Sequence, residues 1–89
     1  ILVLTLLLSA CATEPPVQMM SDARQAIAAA EEADAPRLAP VPIAEARRYI
    51  ALAETQIRNG SFTYAWQNAQ RAKNRAVEAL NVASTEDQN

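Results

Sequence analysis

Alanine returns at positions 65, 69, 72, 76, 79 and 83, so the interval alternates between four and three for five consecutive steps. A period near 3.5 puts all six methyls on one face of an α-helix, and no strand can honour it, because strand side chains alternate every second residue. Phe62 opens the same stripe three residues before Ala65, and past it the face is made only of methyl groups, narrow and shallow. It predicts a helix whose backbone lies close against another element along its whole length. Ile43, Ala46, Ile50, Ala53 and Ile57 form a second stripe of the same spacing, with the bulk that the first one lacks. Between the two lies Asn59-Gly60, which places the only glycine of the chain where a helix end calls for a left-handed residue. Two stripes of matching period joined by so short a turn predict an antiparallel helical hairpin, from Pro42 to Arg58 and from Ser61 to about Ala83. Ser84–Asn89 is polar and acidic, and is expected to fray as a tail.

Upstream, Ser21-Asp22 offers an N-cap and a first-turn acid for a helix reaching Asp34. Its inward candidates are Ala23, Ala26, Ile27, Ala30 and Ala33. Only Ile27 is large, so this helix must dock on its neighbours, helped by Met19 and Met20 at its entry. Pro36, Pro40 and Pro42 then predict an extended linker, with Pro42 as the first residue of the following helix. The fold class is all-α: an antiparallel hairpin plus one preceding helix, either tetratricopeptide-like or closed as a three-helix bundle. The helical domain is expected over residues 21–83.

Composition agrees and removes most chemistry. Of 89 residues, twenty are Ala, one is Gly, four are aromatic and none is His. A β-sandwich or barrel would want many β-branched and aromatic residues and frequent glycine turns. Without His there is no side chain that titrates unaided near neutral pH, and there is no His or Cys cluster for zinc and no glycine-rich phosphate loop. Glu31, Glu32 and Asp34 are the one dense group of carboxylates, with no second cluster to oppose them, while Ser21, Ser61 and Ser84 have no neighbouring base. No catalytic residue, cofactor or metal is expected, and the chain is not read as an enzyme. A net charge of −2 argues against nucleic acid as a partner.

The first segment bears on location. Ile1–Leu8 is an almost continuous apolar run, short of the roughly 20 residues a membrane helix needs but of the length of a secretory h-region. Neither Met nor a basic stretch precedes it, so the leader is expected to begin upstream of Ile1. Leu8-Ser9-Ala10-Cys11 resembles the lipobox of bacterial lipoproteins, in which a large apolar residue, two small ones and a Cys follow the h-region. The resemblance implies that the Cys11 thiol receives a diacylglyceryl group, that cleavage falls just before it, and that the new amino terminus is acylated. A lone Cys also has no intramolecular disulfide partner. Ala12, where an Asp would imply retention in the inner membrane, implies the periplasmic face of the outer membrane. The expected organisation is therefore an h-region over 1–10, the lipidated Cys11 with a flexible tether over 11–20, the helical domain, and the tail over 84–89.

The run from Ile43 to Leu80, with its Asn-Gly-Ser-Phe turn, resembles one tetratricopeptide hairpin. Together with the lipobox and the first Ala-rich helix, it resembles more closely the short alanine-rich envelope lipoproteins of bacteria that share a domain of unknown function. Longer members of that group carry an OmpA-like peptidoglycan-binding domain, which residues 1–89 do not contain. The C-terminal Lys by which small murein lipoproteins attach to the wall is not at Asn89, and covalent attachment is not expected. A lone tetratricopeptide hairpin also falls short of the roughly three repeats that bury a shared core.

Two groups of residues are candidates for binding. Phe62 and Trp66, four apart, are expected to pack on the preceding helix and close the corner, which would make Trp66→Ala destabilising by several degrees. Tyr64, pointing away from that face, and Tyr49 are candidate exposed anchors for a partner. Charge is uneven: −4 over residues 14–34, +5 over 37–75 and −3 from Glu78 onward. Arg71, Lys73 and Arg75 could meet an anionic partner, lipid headgroups or the wall, or could be solvated surface together with Arg47, Arg48 and Arg58. Glu54 precedes Arg58 by four, the favourable order for a helical ion pair, while Glu31, Glu32 and Asp34, which oppose the dipole at a helix C-terminus, are expected to face solvent or to pair with Arg37. The function expected from these residues is a non-catalytic lipid-anchored adaptor that binds another envelope protein, with peptidoglycan a further candidate partner. The alternative is a structural lipoprotein whose stripes join copies into a coiled-coil-like homo-oligomer. Pro36–Pro42 and Gly60 speak against one long helix.

Overall fold

A computed structural model describes residues 14–87; the apolar leader, Cys11 and Ala12 lie outside the described residues. The described part is all helical: α1 (Val17–Glu32), α2 (Ala35–Leu38), α3 (Pro40–Arg58) and α4 (Phe62–Asp87). α4 is the spine. Every other helix packs on it, α3 most extensively and α1 next, whereas α1 and α3 touch each other much less. Met20 near the start of α1 shares a cluster with Ala53 of α3 and with Ala65 and Ala69 of α4, while Ile27 and Ala30 meet Ile43, Ala46, Ala76, Ala79 and Ala83. These pairings make α1 parallel to α4 and α3 antiparallel to both, a three-helix bundle with up-down-up order.

All six alanines of the α4 stripe are completely buried, as are Ala23 and Ala30 of α1 and Ala46 and Ala53 of α3. Ile43 is the largest side chain that is fully enclosed. Ile50 and Ile57 are half-buried, and Ile50 packs against both clusters and so joins them. Methyl faces let the helices approach closely, and the isoleucines of α3 fill what space remains. Gly60 adopts φ +77°. Its N–H donates to the Ile57 carbonyl at 3.0 Å and the Ser61 N–H donates to the Gln56 carbonyl at 2.8 Å, the paired bonds of a Schellman end, which turn the chain straight into α4.

Three boundaries differ from the sequence expectation. α1 starts at Val17 rather than Ser21, so the last four residues of the expected tether are helix. Pro16 sits at the N-cap with φ −79°, Met20 donates its N–H to the Pro16 carbonyl at 3.0 Å, and burial of the Met20 side chain holds the added turn. Ser21 caps nothing; its hydroxyl oxygen accepts a bond from Gln25 Nε2 at 3.2 Å. The proline segment is not an extended linker. Asp34 turns the chain with φ 68°, a left-handed conformation that a short polar side chain tolerates, and its carboxylate receives Arg37 Nε at 2.6 Å. α2 follows at once and places Ala35 and Ala39 in the core. Pro40 and Pro42 then occupy the first turn of α3, whose first intrahelical donor is Ile43, bonded to the Ala39 carbonyl at 3.3 Å. Both rings thus stand where the amide hydrogen would have had no helical partner. At the other end α4 runs through Ser84 to Asp87 instead of fraying. Ala83 is buried there, and Thr85 Oγ1 donates to the Asn81 carbonyl at 2.9 Å.

Crossing ion pairs link α1 to α3 at the surface: Arg24 to Glu54 and Arg47 to Glu31, both at 3.3 Å. Glu54 therefore turns away from the expected Arg58, which instead donates to Thr55 Oγ1 at 3.1 Å. Such exposed pairs add at most about 1 kcal/mol each, so close packing on α4 carries the fold.

Enlarging a methyl in that stripe is the direct test. Ala76→Leu is expected to cost about 1–3 kcal/mol by overpacking, which lowers Tm by roughly 5–20 °C in a domain of this size. Ala51→Leu, on the exposed side of α3, should leave Tm unchanged. Gly60→Ala meets no atom within 4 Å but must hold the left-handed backbone. Thermal melts should show a loss of about 1–2 kcal/mol there, with Gly60→Asn losing less.

Candidate interaction surface

The five candidate binding residues do not lie on one face. A residue advances 100° around a helix, so Tyr64, Arg71 and Arg75 share the flank of α4 that looks toward α3, while Lys73, 200° from Arg71, falls on the opposite flank. Lys73 is half-buried there and leaves the group. Tyr49 of α3 joins from across the helix pair: Glu45, Tyr49, Arg71, Asn74 and Arg75 line one shallow groove. Tyr64 lies one heptad before Arg71, roughly 10 Å along the axis, and is 63% exposed. Tyr49 is half-buried rather than free, with the Arg48 guanidinium 5.6 Å from its ring centroid.

The cations of this groove are partly spoken for. Arg75 Nη1 contacts Glu78 at 2.9 Å, and Arg71 Nη1 donates to Asn68 Oδ1 at 3.0 Å. Asn68 is the residue that sequence reasoning missed. It is the one buried polar side chain among the described residues, and its Nδ2 donates to Gln56 Oε1 of α3 at 2.8 Å. The relay Gln56–Asn68–Arg71 ties the two helices in register and holds the Arg71 guanidinium at the groove's edge. The signal was present in the spacing, since Asn68 stands three after Ala65 and four before Ala72, a polar residue inside an alanine stripe.

Phe62 and Trp66 do not close the corner together. Phe62 is half-buried, but Trp66 is 43% exposed and turns to the α1 flank, where Pro15, Pro16, Val17 and Met19 form the other wall of a groove. Truncating Trp66 therefore removes less packing than the sequence suggested.

Among the described residues no group of three or more His, Cys, Asp or Glu side chains could hold a metal ion. Glu31, Glu32 and Asp34 are exposed, and Glu31 and Asp34 are engaged by arginines. No described helix is long and apolar enough to cross a membrane.

Fold and surface thus define an all-α three-helix bundle with a polar groove between its last two long helices. Residues 18–89 match the DUF4398 family, a domain of unknown function, and the chain belongs to that family. No curated protein and no solved structure matches it.

Asn68→Ala should separate the relay from its surroundings. Gln56 and Arg71 lose their partner but reach water, so the expected cost is about 1 kcal/mol, or roughly 4–8 °C in Tm. An unchanged melt would mean that the relay adds nothing to helix register.

Proposed function

We propose that the protein is a non-catalytic, lipid-anchored helical module on the periplasmic face of the bacterial outer membrane, which binds another envelope protein. The observation that carries the binding part is the convergence of Tyr49, Arg71 and Arg75 from two helices on one groove, with Tyr64 exposed on the same flank. Aromatic and arginine side chains are the types that dominate protein interfaces, because they combine a large contact area with directed hydrogen bonds. The anchoring part rests on the apolar leader and on Cys11 at its end. The tetratricopeptide resemblance of residues 43–80 supports the same role, since such hairpins present helix faces to partners.

Burial of the alanine stripe bears on the alternative. A coiled-coil-like assembly of copies would need those residues as its seam, and within one chain they are already covered. This supports an adaptor over a self-assembling structural lipoprotein.

A photo-crosslinking residue at Tyr64 in living cells tests the reading. One discrete heterologous adduct is expected, lost when Arg71 and Arg75 are both replaced by Glu. A ladder of self-adducts would favour the structural assembly, and retention on purified sacculi would move the partner to peptidoglycan. Mass spectrometry of the amino-terminal peptide of the membrane-fraction protein should show Cys11 as the first residue, carrying acyl chains, and an unacylated Cys11 would overturn the lipid anchor.

A further inference from the structure

The groove on the far flank of α4 has no part in that reading, and it is built differently. Trp66 is the largest side chain in the protein, yet close to half of it is uncovered. Beside it stand Val17, 70% exposed, and Met19, half-buried, with Pro15 and Pro16 completing an apolar wall. The space between measures about 440 Å³. Glu14 is the one charged residue on its lining, and Gln18, which also lines it, donates its Nε2 to Asp22 Oδ1 at 2.9 Å, so nothing there is arranged to meet an anion.

Its position is set by the packing already described. Met20 meets Ala65 and Ala69, so the first turn of α1 lies beside the first turns of α4, at the end of the bundle that also carries the Gly60 turn. That is the end from which the chain leads back to Cys11. Two residues separate Cys11 from Glu14, three Cα steps that span at most about 10 Å when fully extended. This inference rests on the lipoprotein reading: with Cys11 acylated, so short a tether holds this end of the bundle at the bilayer surface. Tryptophan is enriched at the membrane–water interface, where its ring meets the apolar boundary and its indole N–H remains among polar headgroups.

We infer that the Trp66–Val17 face is a membrane-contact surface, which rests on the interfacial layer of the bilayer and orients the bundle on its anchor. Its chemistry is that of a lipid surface without headgroup selectivity, since the wall is apolar and its single charge is negative. The contact stands the helices away from the membrane. Arg75 lies nine residues beyond Trp66, roughly 13 Å further along α4, so the polar groove opens to the periplasm above the headgroups, with Tyr64 at the membrane-proximal end of its flank, across the helix from Trp66.

Trp66 is the only tryptophan of the chain and reports on itself. The protein, expressed with its own leader and purified acylated, is reconstituted into phosphatidylcholine vesicles containing lipids brominated either near the ester or near the methyl end of the chain. Relative to residues 12–89 expressed without the leader and Cys11, Trp66 emission is expected to shift to shorter wavelength and to be quenched more by the bromines near the ester. Val17→Glu, at a position too exposed to disturb folding, is expected to lose most of that quenching. Unshifted and unquenched emission, with the mass of the amino-terminal peptide showing an acylated Cys11, would overturn the membrane contact and leave the lipoprotein reading standing. An unacylated Cys11 would overturn the lipoprotein reading and, with it, the tether on which this inference depends.

Discussion

The alanine face of α4 is the constraint on which the other helices depend. Six methyl groups in register give a surface with almost no relief, so α1 and α3 can both lie against one helix and still bury their own small residues. Bulk enters at few places. Ile27, Ile43 and Met20 are the large buried side chains, each on a helix that packs against the spine rather than on the spine itself. Short connections follow from the same closeness, because helices this near need only the Asp34 and Gly60 turns to reverse the chain. Both turns use a left-handed residue, which redirects the backbone in the fewest steps.

That architecture divides α4 into flanks of different chemistry. Its α3 side carries the hydrogen-bonded relay from Gln56 through Asn68 to Arg71 and ends in a groove of mixed charge. Its α1 side carries Trp66 and an apolar hollow. A small bundle whose interior is mostly alanine has little room for a cavity between its helices. Hollows are left to the seams where helix pairs meet the solvent, and the two grooves are on such seams.

How much of this was legible in the sequence follows from which residues act through spacing. The α4 stripe, the Ile-rich face of α3 and the Gly60 turn were read directly, because periodicity and a lone glycine are local signals. The prolines misled, since a proline reads as extended until the number of free amide hydrogens at a helix start is counted, and Pro40 and Pro42 fall within that number. Val17–Met20 misled for the opposite reason: helix there depends on Met20 finding Ala65 and Ala69, residues far along the chain. Trp66 was assigned to the core on size and spacing, but only the placement of α1 decides what stands opposite it. Of the basic residues, 71 and 75 are one turn apart and 73 is not, a distinction the periodicity held once the inward face was known. The DUF4398 match agrees with the helical domain of unknown function that the resemblance named, and it extends past Ala83 into the segment expected to be a tail.

An interior built of alanine has a thermal consequence. Alanine has no side-chain rotamers to surrender on folding, so ordering this core costs almost nothing beyond the backbone. It also removes less apolar area from water than a leucine-rich core would, and the heat capacity increment of unfolding scales with that area. Stability should therefore vary gently with temperature, along a flatter curve than that of an equally long helical domain with bulky packing. The bundle should keep much the same margin in the cold as at its optimum, a consequence of the size of a methyl group and not of any particular contact.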